Sequence, residues 1–245
     1  SNSKILIVSY EARHLMSFRF DFLLIKAIPT LFWSSPKTFT IRPPMISLIF
    51  LIFGLILFGL GEAILIAAGM GVSPWTVFAQ GVTNFTGWGI GFATFITSAV
   101  VLLIWIPLKQ IPGIGTILNT VIIALILDLA LPYIPRPEDY FSGILLSVVG
   151  VLVTGFGGGI YLIANLGPGP RDGLMTGLQK ATNLPIAWIR SVIELSVVVI
   201  GWFLGGIVGF GTLLFAFGIG PSVAIYLYGF QKVFGEITVK NKKIS

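Results

Sequence analysis

Gly167-Pro168-Gly169-Pro170-Arg171-Asp172-Gly173-Leu174-Met175 sets two opposite charges among five helix-breaking residues in the middle of an otherwise apolar chain. A continuous helix does not run through such a stretch. Proline lacks the amide donor and clashes with the preceding turn, and glycine loses the most backbone entropy on ordering. A quieter counterpart, Gly71-Val72-Ser73-Pro74-Trp75, lies 96 residues earlier. These two breaks organise the reading of everything around them.

The surrounding chain belongs in a bilayer. Its 245 residues are 56% hydrophobic and 10% charged, against about 25% charged in an ordinary soluble domain. Mean hydropathy is +0.99, and several nearly uncharged runs approach the ~20 residues that a membrane helix needs. There is no cysteine, which excludes disulfides, thiol nucleophiles and thiolate metal sites. The net charge of +6 sits at the ends. Residues 1–45 hold six Lys/Arg against two Asp/Glu, and residues 232–245 hold four against one, while the region between holds five against six. Basic ends suit termini that face the cytoplasm and anionic lipid. Nucleic acid is not an expected partner.

Residues 1–44 read as an N-terminal extension. Arg19, Asp21, Lys26 and Pro29 interrupt the apolar run over 18–33, which is too short and broken for a span. It fits either an interfacial helix or an extension outside the fold, with the real start at Met45. A first span covers 45–68. Ser73 then stands as an N-cap with Pro74 at the first helical position, opening a short helix over 74–85 that is interfacial or re-entrant. Spans over 89–108 and 116–131 follow, separated by a tight turn at Pro112-Gly113-Ile114-Gly115. A proline-stiffened loop carries Arg136, Glu138 and Asp139.

The second half repeats the first. A shift of 96 residues, with no gap, pairs Gly54, Gly59 and Gly61 with Gly150, Gly155 and Gly157. It pairs Gly71 with Gly167, Pro74 with Pro170, Gly81 with Gly177, and the Gly113-x-Gly115-Thr116 turn with Gly209, Gly211 and Thr212. Three spans is an odd number, so the second unit must be inverted. The expected fold is an all-α polytopic membrane protein of about six transmembrane helices in a 3+3 inverted repeat, each repeat with a short broken or re-entrant helix. Repeat 1 occupies 45–135, repeat 2 occupies 136–231, and 232–245 form a basic tail. Loop charges orient it with both termini cytoplasmic, which places Lys109, Arg171 and Lys180 inside and only Arg136, beside Glu138 and Asp139, outside.

Several of these motifs together resemble a known family. Gly71-Val72-Ser73-Pro74-Trp75 and the 167–175 stretch are similar to those of the YczE-like bacterial membrane proteins, in the wider YczE/YyaS/YitT grouping. So are Arg190 with Glu194, Gly201-Trp202-Phe203-Leu204-Gly205-Gly206, the Gly-x-Gly-Thr turn at 209–212, and Gly220-Pro221. The resemblance covers roughly 45–230 and implies a multi-pass protein of the bacterial plasma membrane, with no settled activity. It also implies an Asp after Pro-Trp in many first repeats, where this chain has Thr76.

The charged residues inside the apolar region are the candidate site. Pro170 leaves Arg171 and Asp172 in the first turn of a helix, where unpaired N–H groups and the dipole suit an anion. The plainer reading is that Asp172 complements the helix start and Arg171 reaches for headgroups. Arg190 and Glu194 lie four apart, so an ion pair that lowers the insertion cost accounts for them without a function. Glu62 has no charged neighbour at helical spacing, and an intramembrane carboxylate is a functional candidate by default. Asp128 reads as interfacial, Asn119 and Asn165 as helix cross-links, and the Gly-x-Gly-Thr turns as turns only. With no cysteine and one histidine, His14, in the extension, no Ser–His or Cys–His pair forms in the membrane body. Neither enzymatic activity nor a metal or other cofactor is expected. The reading that follows is a permease or carrier for a small molecule or ion, its site near the short helices that begin at Pro74-Trp75 and Pro170. Arg171 would meet an anion, and Glu62, Arg190 and Glu194 would handle protons or counter-ions. The alternative is a non-transporting membrane partner that anchors cytoplasmic enzymes, for which a patch around Arg171, Asp172 and Lys180 would suffice.

Overall fold

The computed structural model describes residues 28–244, and all regular structure among them is helical. Eight α-helices follow in order: α1 (Met45–Ala68), α2 (Pro74–Thr86), α3 (Ile90–Trp105), α4 (Ile114–Ala130), α5 (Tyr140–Ala164), α6 (Pro170–Thr182), α7 (Ile186–Phe203) and α8 (Phe210–Ile244). At 1.5 Å per residue, the 24 residues of α1 reach about 36 Å, enough for a hydrocarbon core of about 30 Å. Five helical segments are long and apolar enough to cross: α1, α4 with its 3-10 extension, α5, α7 and the first 26 residues of α8. α2 and α3 meet at 113° across a short break, and counting this bent pair as one span brings the number to six. The protein is a polytopic membrane protein.

α1 and α5 form the centre. Gly54 of α1 faces Gly157 of α5, and Gly61 faces Gly150, so the two helices run antiparallel. Any β-carbon at these positions would run into the opposite backbone. Removing it lets the backbones approach, which is how helices associate where lipid is as apolar as the side chains. The other packings exchange under the same 96-residue shift. α4 lies on α1 as α8 lies on α5, and α2 packs on α7 as α6 packs on α3. This arrangement is compatible with a 3+3 inverted repeat.

The Gly-x-Gly-Thr turns lock the two halves to each other. Gly115 N donates to Leu166 O at 2.7 Å, and its counterpart Gly211 N donates to Met70 O at 2.7 Å. Each turn therefore docks on the helix break of the other repeat. Gly71 and Gly167 at those breaks have φ of 100° and 117°, a region open to glycine and closed to ordinary side chains. Thr116 Oγ1 adds a hydrogen bond to Pro168 O. These turns have a tertiary role that their sequence did not disclose.

One relation is not exchanged. α3 lies along α4, whereas α7 and α8 barely touch. The loop between α7 and α8 is instead held by the polar side of α2: Gln80 Oε1 accepts from Ile207 N, and Asn84 Nδ2 donates to Gly205 O.

Residues 28–44 pack on the bundle. Leu31 and Trp33 are buried, and the Trp33 ring stacks on Phe50 with centroids 4.6 Å apart. Ser35 N donates to Ala164 O, and Asn165, at the left-handed end of α5, bonds Ser35 O and Thr38. The packed structure thus begins before Met45, and the part of the 18–33 run up to residue 27 lies outside the described residues. At the start of α5, Asp139 caps the helix by accepting from Ser142 N. Hydrogen bonds from the Ser142 side chain and amide hold its carboxyl below the usual range. α8 continues to Ile244, through the residues read as a tail.

Candidate functional site

A cavity of about 320 Å³ lies where the two short helices start. Its wall is built from equivalent positions of the two repeats: Ser73 and Gly169, Pro74 and Pro170, Trp75 and Arg171, Thr94 and Arg190, Ser98 and Glu194, Ile123 and Ile219. The short helices enter it because each breaks at glycine and restarts at proline, which turns the first helical residues inward from the end of a span. Phe58, Tyr161, Leu162, Met175 and Phe215 make the rest of the lining largely apolar. Asn119, read as a cross-link, is also on this wall.

The charges of the wall all come from the second repeat. Arg171 lies over the Trp75 ring, 5.3 Å from its centroid. Beside it, Asp172 Oδ2 accepts from Tyr161 Oη at 3.3 Å. Arg190 Nε donates to Glu194 Oε1 at 2.9 Å, with the two side chains 55% and 26% exposed. The first repeat supplies Thr94 and Ser98 at the matching positions, polar and uncharged.

Glu62 is not on the wall. It is 1% exposed and stands behind Ser73, whose hydroxyl donates to Glu62 Oε2 at 2.8 Å. Thr76 Oγ1 is hydrogen-bonded to the same oxygen at 2.7 Å. Ser73 does occupy the N-cap position of α2, but its hydroxyl caps no backbone amide, because it is turned to the carboxyl. The remaining sequence candidate, Asp128, is exposed and accepts from Gly91 N at 2.7 Å, which satisfies the start of α3.

The structure therefore brings Pro74, Trp75, Pro170, Arg171, Asp172, Arg190 and Glu194 to one cavity, with Glu62 one layer behind it. Sequence reasoning missed Tyr161 and the hydroxyls of Ser73 and Thr76. Tyr161 carried a usable signal: it precedes Asp172 by eleven residues, as Glu62 precedes Ser73 by eleven. In each repeat a hydrogen bond then joins the first span to the short helix. The carboxyl is on the span in repeat 1 and on the short helix in repeat 2.

A family model described as a family of unknown function, DUF6198, matches residues 45–228. The chain belongs to this family. A Haemophilus influenzae protein described as uncharacterized is 40% identical over 203 residues, 83% of this chain and 92% of the relative. The uncharacterized membrane protein YczE of Bacillus subtilis is 33% identical over 66% of this chain and 77% of its own length. The uncharacterized protein YyaS of the same organism is 24% identical over 66% of this chain and 82% of its own length. No solved structure matches the chain. The matched region takes in both helix breaks and every lining residue named above, and the YczE-like resemblance drawn from the motifs stands.

Proposed function

We propose that the protein is a carrier for a small anionic molecule, working in the bacterial plasma membrane with both termini in the cytoplasm. The observation that supports this is the cavity lined by equivalent positions of both repeats. A carrier needs a site that both halves share, so that rocking one half against the other changes which side it faces. An anchor for cytoplasmic enzymes needs only a surface patch and no such cavity. Arg171 would hold the anion: guanidinium presents several donors in a planar fork, and the Trp75 face holds it in place without using those donors. The apolar lining suits the body of the substrate, and no covalent chemistry is required of the protein.

The test is uptake. Protein reconstituted in liposomes is offered a panel of labelled small carboxylates and phosphates, with Arg171→Gln in parallel. Accumulation of at least one compound is expected, falling tenfold or more in the variant. Uptake that is equal in Arg171→Gln, or none across the panel, would remove the carrier reading.

A further inference from the structure

Glu62 Oε2, Ser73 Oγ and Thr76 Oγ1 form a closed triangle. Ser73 Oγ is 2.8 Å from Glu62 Oε2 and 2.8 Å from Thr76 Oγ1, and Thr76 Oγ1 is 2.7 Å from Glu62 Oε2. These are O–H···O hydrogen-bond lengths, and each of the three edges needs one hydrogen. Serine and threonine hydroxyls bring one hydrogen each. An ionised carboxylate brings none, which leaves one edge with lone pairs facing each other. A carboxylic acid supplies the third hydrogen, and then every oxygen in the ring donates once and accepts once. Glu62 Oε1 agrees with this count. It is buried and has no hydrogen-bond partner, an arrangement that costs far more for a charged group than for a neutral one.

We propose that Glu62 is a buried carboxylic acid that carries a proton, which gives the carrier a proton-binding site one layer behind its cavity. The proposal rests on the carrier reading. Ser73 and Thr76 come from α2 and do not titrate near neutrality. From α4, Asp128 is engaged with Gly91 N. From α5, Tyr161 donates to Asp172, and from α6, Arg171 lies over the Trp75 ring. When the proton leaves the ring by way of the Ser73 hydroxyl, which is on the cavity wall, two hydrogens remain for three edges, so one edge opens at the start of α2.

The experiment needs no identified substrate. Infrared spectra of the purified wild-type protein are compared with those of Glu62→Gln, an isosteric change, and read as a difference. One carboxylic-acid carbonyl band is expected in the wild type, sensitive to deuterium exchange and lost in the variant. Ser73→Ala keeps Glu62 but opens the ring, and should move that band to the frequency of a less hydrogen-bonded acid. A carboxylate band in place of the acid band would overturn the proton assignment. A band that does not move in Ser73→Ala would overturn the ring. Neither readout depends on transport, so failure of the carrier reading in liposomes is distinguishable from failure here.

Discussion

Trp75 and Arg171 are equivalent positions of the two repeats, and they touch: the guanidinium of Arg171 lies 5.3 Å from the centroid of the Trp75 ring. Contact between counterparts places the pair where the two halves meet. A cation on an aromatic face gains about 0.5–2 kcal/mol, more when water is excluded. The same neighbourhood shows how the repeats have diverged. Thr76 in the first repeat corresponds to Asp172 in the second, and Glu62 corresponds to Gly158.

The pair of Arg190 and Glu194 separates structure from function. Leaving one buried charge without its partner is expected to cost up to about 3 kcal/mol in a span, less here because both side chains are partly exposed. Arg190→Leu and Glu194→Leu should each lower the yield of monodisperse protein, and the double replacement should restore it. If the pair handles substrate, the restored protein will still fail in the liposome uptake assay. Full uptake by a well-folded double variant would take the pair out of the site.

The docking of one repeat's turn on the other's break is tested at Gly167. Its φ is 117°, and a β-carbon there would press on Thr116 Oγ1 and Gly113 Cα. Backbone strain and overpacking together put the cost of Gly167→Ala at about 2–4 kcal/mol. Gly69→Ala is the control, with φ 68° and open space around it, for which about 1 kcal/mol is expected. Melting midpoints in detergent, read by size-exclusion chromatography after heating, should rank the two variants in that order.

The N-terminal segment should contribute stability. Trp33 is 1% exposed against Phe50, and truncating such a side chain costs about 3–5 kcal/mol. Trp33→Ala, and a chain beginning at Met45, should both melt earlier than the full chain in the same assay. Trp33→Phe should lie between. Equal melting of the full and shortened chains would show that the cover is dispensable.

Orientation is tested by single cysteines introduced into this cysteine-free chain. In intact cells an impermeant thiol reagent should label Glu138→Cys and spare Lys109→Cys and Lys180→Cys. Labelling of the lysine positions with none at Glu138 would invert the topology.

Much of the architecture was legible because bilayers impose local rules. An apolar run of span length must be helical, since its backbone groups have no water to bond, and the predicted 45–68 helix is the observed α1. Glycine and proline mark breaks by what they do to their own backbone, so the 96-residue register could be read without knowing any contact. The hydroxyl of Ser73 was read as a cap because capping is a local interaction. A carboxyl eleven residues earlier competed for it and won, since burial leaves that carboxyl only the hydroxyls of Ser73 and Thr76 as partners.

The sequence by itself determined the membrane class, the breaks, the 96-residue recurrence of glycine and proline, and the place of the charges in the second half. Each of these follows from composition or from the conformational limits of single residues. Only the tertiary structure decided that the Gly-x-Gly-Thr turns clasp the opposite breaks, that Trp75 meets Arg171, and that Glu62 closes a ring with Ser73 and Thr76. Those are distances between segments that the chain separates, and they arise only after α1 and α5 pack glycine to glycine and bring the two halves face to face.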